Sequence, residues 1–266
     1  MTPQYARAID DIWAGVSNWP MWGRLGWLDI KRRYRRTTVG PFWAAFQVAT
    51  MVFTVGFLWA ALFGQPVSSY MPLLCSGLIV WQLIASLANE GATVFTAGQS
   101  LLTSIRMPLT LLVATMVWRN VIVFAHNLAV FAVVAILWKV PITWNTLLVI
   151  PGLLLLILNG MWIGLLVGIV ATRFRDVPQL IGGILQILMF LTPVMWSPAT
   201  LKGTEIVSYI INVNPLTHLV EVSRTPLLGE APSLLNWVVA AALVVVGSAG
   251  TLAVFSRFRQ RIPYWL

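Results

Sequence analysis

Charge is what this chain has least of. Asp, Glu, Lys and Arg together make up 9% of its 266 residues, where soluble globular domains carry about 25%. Apolar residues account for 59%, and the mean hydropathy is +0.84. Such a composition excludes an ordinary water-soluble fold and points to an integral membrane protein. Cysteine is nearly absent as well: the single thiol, Cys75, sits in an apolar run, cannot form an internal disulfide, and is expected to pack there. The three lysines, Lys31, Lys139 and Lys202, are none of them preceded by glycine, so there is no G-x-x-x-x-G-K-[ST] phosphate loop. Neither an H-E-x-x-H helix nor a nucleophile elbow occurs. Only Glu90 is an acid placed inside an apolar run, which leaves a proton relay few parts. No soluble segment is long enough for a nucleotide-binding domain. Active transport by this chain therefore requires energy from a partner. The first 40 residues lack the apolar stretch of a signal peptide, so the first span is expected to stay and direct insertion.

What is present in quantity is long apolar runs. Six approach the roughly 20 residues that a helix needs to cross hydrocarbon: Pro41–Phe63, Met71–Val94, Pro108–Trp138, Asn145–Ala171, Pro178–Trp196 and Leu234–Phe255. The runs are continuous rather than alternating, which makes them helices and not barrel strands. The expected fold is an all-α membrane protein of six transmembrane helices. It divides into a cytoplasmic amphipathic segment over 1–40, a transmembrane domain over 41–256 and a basic tail over 257–266. The third run is too long for a simple crossing and must tilt, kink or leave the bilayer. The net charge of +9 would suggest nucleic acid in a soluble protein; between membrane runs it reads as a topology signal. With the N-terminus inside, Arg7, Arg24, the cluster Lys31–Arg36, Arg106, Arg173, Arg175, Arg257, Arg259 and Arg261 share one face, against Lys139, Lys202 and Arg224 on the other. Both termini are thus expected in the cytoplasm.

Between the fourth and fifth runs lies Arg173-Phe174-Arg175-Asp176-Val177-Pro178. A charged loop this short between two membrane-length helices predicts a tight cytoplasmic turn, well suited to being pushed by a partner. Ahead of the first run, Ile9, Ile12, Trp13, Val16 and Trp19 recur at helical spacing with Asp10 and Asp11 opposite. They predict an amphipathic helix in the interface, either an anchor or a lateral gate for a lipid-linked substrate. In the first run Phe42, Phe46, Phe53 and Phe57 fall within about 60° of arc, a stripe on which sugar faces can stack or which simply packs in the bundle. In the fifth run Gln179, Gly183, Gln186 and Phe190 share a face. Amides inside a membrane must meet water, a neighbouring helix or a polar ligand. Gly160, Gly164 and Gly168 in the fourth run form a small-xxx-small pattern for close helix approach, within one subunit or at a dimer seam. Arg119 lies inside the third run, where a bare guanidinium costs at least about 3 kcal/mol. Its candidate partners are Glu90 or a substrate phosphate. His126, on the same face, reads as a hydrogen-bonded bundle histidine. From Ser197 to Ser233 two short half-helices, Glu205–Val213 and Leu216–Val222, are expected to dip into the outer leaflet. His218 and Glu221 there are one turn apart, but two ligands do not make a metal site.

In their order these features resemble the polysaccharide-exporting permeases of the ABC-2 class, the transmembrane subunits of O-antigen, capsule and teichoic-acid exporters. The resemblance covers nearly the whole chain. It is carried by Asp29-Ile30-Lys31-Arg32-Arg33-Tyr34, Gly40-Pro41-Phe42-Trp43, Ser100-Leu101-Leu102 through Arg106-Met107-Pro108, Arg175-Asp176-Val177-Pro178, Thr192-Pro193-Val194 and Asn214-Pro215-Leu216-Thr217. It implies a homodimer with two separate ATP-hydrolysing subunits, which bind the ATP and Mg; this chain itself holds no cofactor. It further implies export of an undecaprenyl-linked polysaccharide, O-antigen in the first place, across a bacterial inner membrane. In that reading Val94–Met107 is the main coupling segment, with Ser100, Leu102, Ser104 and Arg106 at the ATPase; family members often carry a basic residue where this chain has Ser104. Arg173, Arg175 and Asp176 make the second contact. The conduit is lined from the first and fifth spans by Phe42, Phe46, Phe53, Phe57, Gln179, Gln186 and Phe190, with Arg119 as a further substrate contact. The rival expectations are an ABC-2 exporter of another lipid or small molecule, a secondary transporter needing no ATPase, and a membrane enzyme acting on lipid-linked sugars. The last would need clustered acids that the sequence does not offer.

Overall fold

Continuous apolar runs leave backbone amides no water to bond with in a membrane, so each run closes its own hydrogen bonds as helix. The computed structural model describes residues 3–35, 40, 42–62, 64–197, 209 and 211–266. Arg36, Pro41, Phe63, Lys202 and most of the half-helix expected at Glu205–Val213 lie outside the described residues. The helices are α1 (Pro3–Ser17), α2 (Trp19–Tyr34), α3 (Phe42–Leu62), α4 (Val67–Ala97), α5 (Gln99–Ser104), α6 (Leu109–Leu137), α7 (Val149–Arg173), α8 (Val177–Leu191), α9 (Pro215–Leu227), α10 (Leu234–Phe258) and α11 (Ile262–Trp265). A short 3-10 turn, Trp144–Leu148, leads into α7. No strand occurs among the described residues.

Helix α4 is the axis of the bundle. Within its most apolar window 78% of residues are buried, against 28% for α3 and 17% for the last long helix. It packs on α7, α6, α3 and α8. The contact with α7 is the tightest, because glycines face each other: a Cβ added at Gly91 would stand 2.7 Å from the Gly164 Cα, and one at Gly160 would meet Leu87 at 2.7 Å. The small-xxx-small pattern of α7 therefore serves packing within the subunit.

Among the described residues, five helices are long and apolar enough to cross a bilayer. The fifth apolar run forms the shorter apolar helix α8, so five of the six expected spans are seen at full length. Helix α8 has 15 residues, about 22 Å at 1.5 Å per residue, against roughly 30 Å of hydrocarbon. The run continues in sequence to Trp196, but proline disfavours helical conformation in the residue before it. Thr192, preceding Pro193, is extended at φ −89°, ψ 136°.

The over-long third run is one unbroken helix, α6, of 29 residues. Its first turns are covered by α1 and α2, which pack along its base. At the opposite end of the bundle α9 is wedged among α4, α7 and α10.

Candidate functional site: translocation surface and coupling face

Helix α1 is turned inside out relative to a surface helix of a soluble protein. It buries Ala8, Asp11 and Gly15 and exposes Tyr5, Ile9, Trp13 and Val16, Trp13 by 74%. The exposed apolar stripe suits lipid at headgroup depth. The buried carboxylate of Asp11 caps α6: it accepts the backbone N–H of Leu109 at 3.3 Å and of Thr110 at 3.1 Å, and the Thr110 hydroxyl at 2.9 Å. Arg259, just beyond α10, donates to the same carboxylate at 2.8 Å. One acid thus joins the N-terminal helix, the start of α6 and the end of α10, a role that sequence reasoning missed.

Farther along α6, four charges from α2, α4 and α6 form a second knot. Glu90 on α4 accepts from Arg119 at 2.6 Å, from Asn120 at 2.8 Å and from Arg33 at 3.1 Å. Arg119 also donates to Asp29 on α2 at 2.9 Å. Arg119 therefore has two carboxylate partners and lies beside α2. His126 turns back on its own helix, with Nδ1 2.7 Å from the Ile122 carbonyl. The edge-on ring of Phe42 stands 5.3 Å from it.

Helix α3 presents two flanks on either side of its buried face. One carries the phenylalanines. Phe42, Phe46 and Phe53, with Ala129, Val130 and Val133 of α6, bound an apolar hollow of about 300 Å³. Phe53 stacks on Phe57 and meets Trp138 of the α6 end; Phe42, Phe46 and Phe57 are all more than half exposed. The other flank, Gln47, Val48 and Met51, faces a groove of about 260 Å³. Leu78, Trp81, Gln82 and Ala85 of α4 floor it, and Met189 of α8 closes its far side. Helix α8 buries only Leu185. Gln179, Gln186 and Phe190 are exposed, and among the described residues neither glutamine side chain has a hydrogen-bond partner.

The turn that ends α8 is held from three directions. Tyr70 of α4 donates to the Met195 carbonyl at 2.6 Å, and Asn214 to the Thr192 hydroxyl at 2.9 Å. Arg224 of α9, 3% exposed and paired with Glu221, donates to the Pro193 carbonyl. On the same helix His218 has both ring nitrogens engaged, by Asn236 at 2.8 Å and the Asn212 carbonyl at 3.0 Å, which leaves none for a metal.

At the end of the bundle where α4 gives way to α6, the short helix α5 exposes Ser100 and Ser104, with Leu102 half-buried and Arg106 exposed just beyond. The turn at Arg173–Asp176 is exposed throughout, with Phe174 at 56%. The C-terminal residues bridge the two segments. Gln99 at the start of α5 donates to the Leu266 backbone oxygen at 2.7 Å, and the Arg173 guanidinium lies 5.6 Å from the Trp265 ring centre. Sequence spacing gave no sign of this bridge.

A bundle of long apolar helices is the plan of a multi-pass membrane protein. The family model described as ABC-2 type transporter matches residues 22–228. The chain belongs to the ABC-2 type transporter family. Its membrane domain takes in every long helix but α10, together with α5, α8 and α9. The chain is also 22% identical over 191 residues, 72% of its own length and 74% of the other, to the O-antigen export system permease protein RfbA of Myxococcus xanthus. ABC-2 membrane domains are permease parts of transporters, in keeping with a chain whose sequence holds no phosphate loop.

Proposed function

We propose that this ABC-2 permease exports a lipid-linked polysaccharide, an undecaprenyl-linked O-antigen, across the bacterial inner membrane. Two copies enclose the path, and two separate ATPase subunits, which hold ATP and Mg, supply the energy. Both termini lie in the cytoplasm. The relative in Myxococcus xanthus is named for O-antigen export, and the order of short motifs from Asp29 to Thr217 supports the same substrate class. The observation that carries the coupling part is the bridged end of the bundle: α5 and the Arg173–Asp176 turn are tied together through Trp265 and Leu266. A partner that pushes one pushes both. Ser100, Leu102, Ser104 and Arg106 form the larger contact, and Arg173, Arg175 and Asp176 the smaller.

From there a displacement reaches α4 directly, because α5 follows it after one residue, Gly98. It reaches α6 through the loop before it, at the first turn where Asp11 grips the N–H groups of Leu109 and Thr110. The spans then shift as rigid rods between two packings, the ordinary form of such switches. The exposed stripes of α3 and α8 line the path: Phe42, Phe46, Phe53 and Phe57 on one helix, Gln179, Gln186 and Phe190 on the other. Aromatic stacking is tolerant of sugar identity and weak per contact, which suits a chain that must be held and released repeatedly.

Reconstitution decides the proposal. Vesicles holding the permease and the ATPase encoded beside it are expected to move lipid-linked glycan only with ATP. Glycan movement by the permease alone, or none with the pair, would overturn it.

A further inference from the structure

The groove between α3, α4 and α8 has an unfinished hydrogen-bond account. Asn127 of α6 is 1% exposed and stands behind the groove floor, its Nδ2 3.5 Å from the Gln82 Oε1. Its own Oδ1 is buried and has no partner among the described residues. The Gln82 side-chain nitrogen has no hydrogen-bond partner among the described residues either, nor does Gln47 across the groove. Three amides in a membrane-spanning region are thus short of partners, in an environment where an unpaired polar group is costly. No charged side chain lines the groove.

From this we infer that the α4 floor of the groove, centred on Gln82 with Gln47 opposite and Trp81 beside it, is a contact site for an uncharged, hydroxyl-rich glycan chain. The inference rests on the polysaccharide reading above and moves part of the track from the phenylalanine flank of α3 to its glutamine flank and to α4. A lipid tail fits the apolar walls but leaves the amides unpaired. A phosphorylated or acidic cargo finds no cation there. A sugar hydroxyl both donates and accepts, so it completes an orphan amide N–H or C=O whichever way it is met. The apolar faces of the sugar rings are matched by Trp81, Met51 and Met189. Asn127 acts as a positioning residue: it holds the Gln82 oxygen from behind, so the amide nitrogen is the group left for the groove.

The test places a photo-crosslinking amino acid, p-benzoylphenylalanine, singly at Gln47, Gln82, Phe46 and the lipid-facing Val246 in cells exporting their own polysaccharide. Permease bands are then stained for glycan. A glycan ladder at Gln47 or Gln82 and none at Val246 is the expected result. A ladder confined to Phe46 overturns the inference and leaves the export reading standing; a ladder at no position overturns both. As a second measurement, Gln47→Leu with Gln82→Leu keeps size and removes the amides. At unchanged permease abundance it is expected to slow surface appearance of polysaccharide by about tenfold, the effect of two hydrogen bonds to each transiting sugar. An unaltered rate counts against the site.

Discussion

Asp11 illustrates how much one side chain carries where the surroundings are apolar. Its carboxylate is fully buried, holds two backbone N–H groups and a hydroxyl of α6, and neutralises Arg259. The Arg259 side chain is 31% exposed and can turn to water, so losing the ion pair alone costs less than it would for two buried charges. Asp11→Ala also strips the cap from α6. We expect Asp11→Ala to lower the thermal unfolding midpoint of the purified permease clearly, and Asp11→Asn, which keeps an acceptor oxygen for the cap, to lower it less. Equal midpoints for wild type and both variants would show that the cap contributes nothing. The sequence marked Asp11 only as a residue on the polar side of an amphipathic helix. An acid at the first turn of another helix 98 residues away leaves no periodic trace, so the contact was not legible. Glu90 and Arg119 were legible as partners, each being a lone charge in an apolar run. Asp29 was not, because it lies in a segment already rich in charges.

Among the elements, those specified by a long unbroken apolar run were readable and those interrupted by a single residue were not. Helices α3, α4, α6, α7 and α10 lie within a few residues of the runs that mark them. Helix α8 falls short because Pro193 stops it while hydropathy carries on to Trp196, and hydropathy does not register backbone geometry. The glycine pattern of α7 announced a close approach, though its partner, Gly91 of α4, stood unmarked in sequence. That crossing permits a prediction at the same scale. Gly91→Leu puts a side chain where even a Cβ stands 2.7 Å from the backbone of Gly164, so the two helices must separate along their whole contact. Overpacking of this kind costs about 1–3 kcal/mol or more. Gly183→Ala, on exposed α8 with nothing within 4 Å of its Cβ, instead gains helix propensity of up to about 1 kcal/mol. Unfolding of the two variants in the same detergent is expected to shift in opposite directions. A Gly91→Leu protein as stable as the wild type would mean that the α4–α7 seam is loosely packed.

For the whole molecule, the proposed coupling gives force from a partner ATPase one place to enter and several rods to move. The C-terminal residues make that place a unit: the Trp265 ring lies tilted against Phe258 at 5.8 Å and under Arg173 at 5.6 Å, while Leu266 receives Gln99. If α5 and the Arg173–Asp176 turn must move together for each ATP turnover to advance the cargo, cutting the bridge separates binding from transmission. Gln99→Ala with Trp265→Ala removes the hydrogen bond and the cation–π contact but leaves every exposed coupling residue in place. The partner ATPase is therefore expected to bind and hydrolyse ATP at a rate within about twofold of normal, since isolated surface contacts of this type are worth only about 0.5–1 kcal/mol. Export per ATP is expected to fall several-fold more than hydrolysis does, because α4 and α7 are no longer driven in step. The paired measurement is ATP hydrolysis and glycan transfer in the same vesicles. A variant that loses both in equal proportion has merely lost its ATPase, and one that keeps their ratio shows that the two contacts act independently.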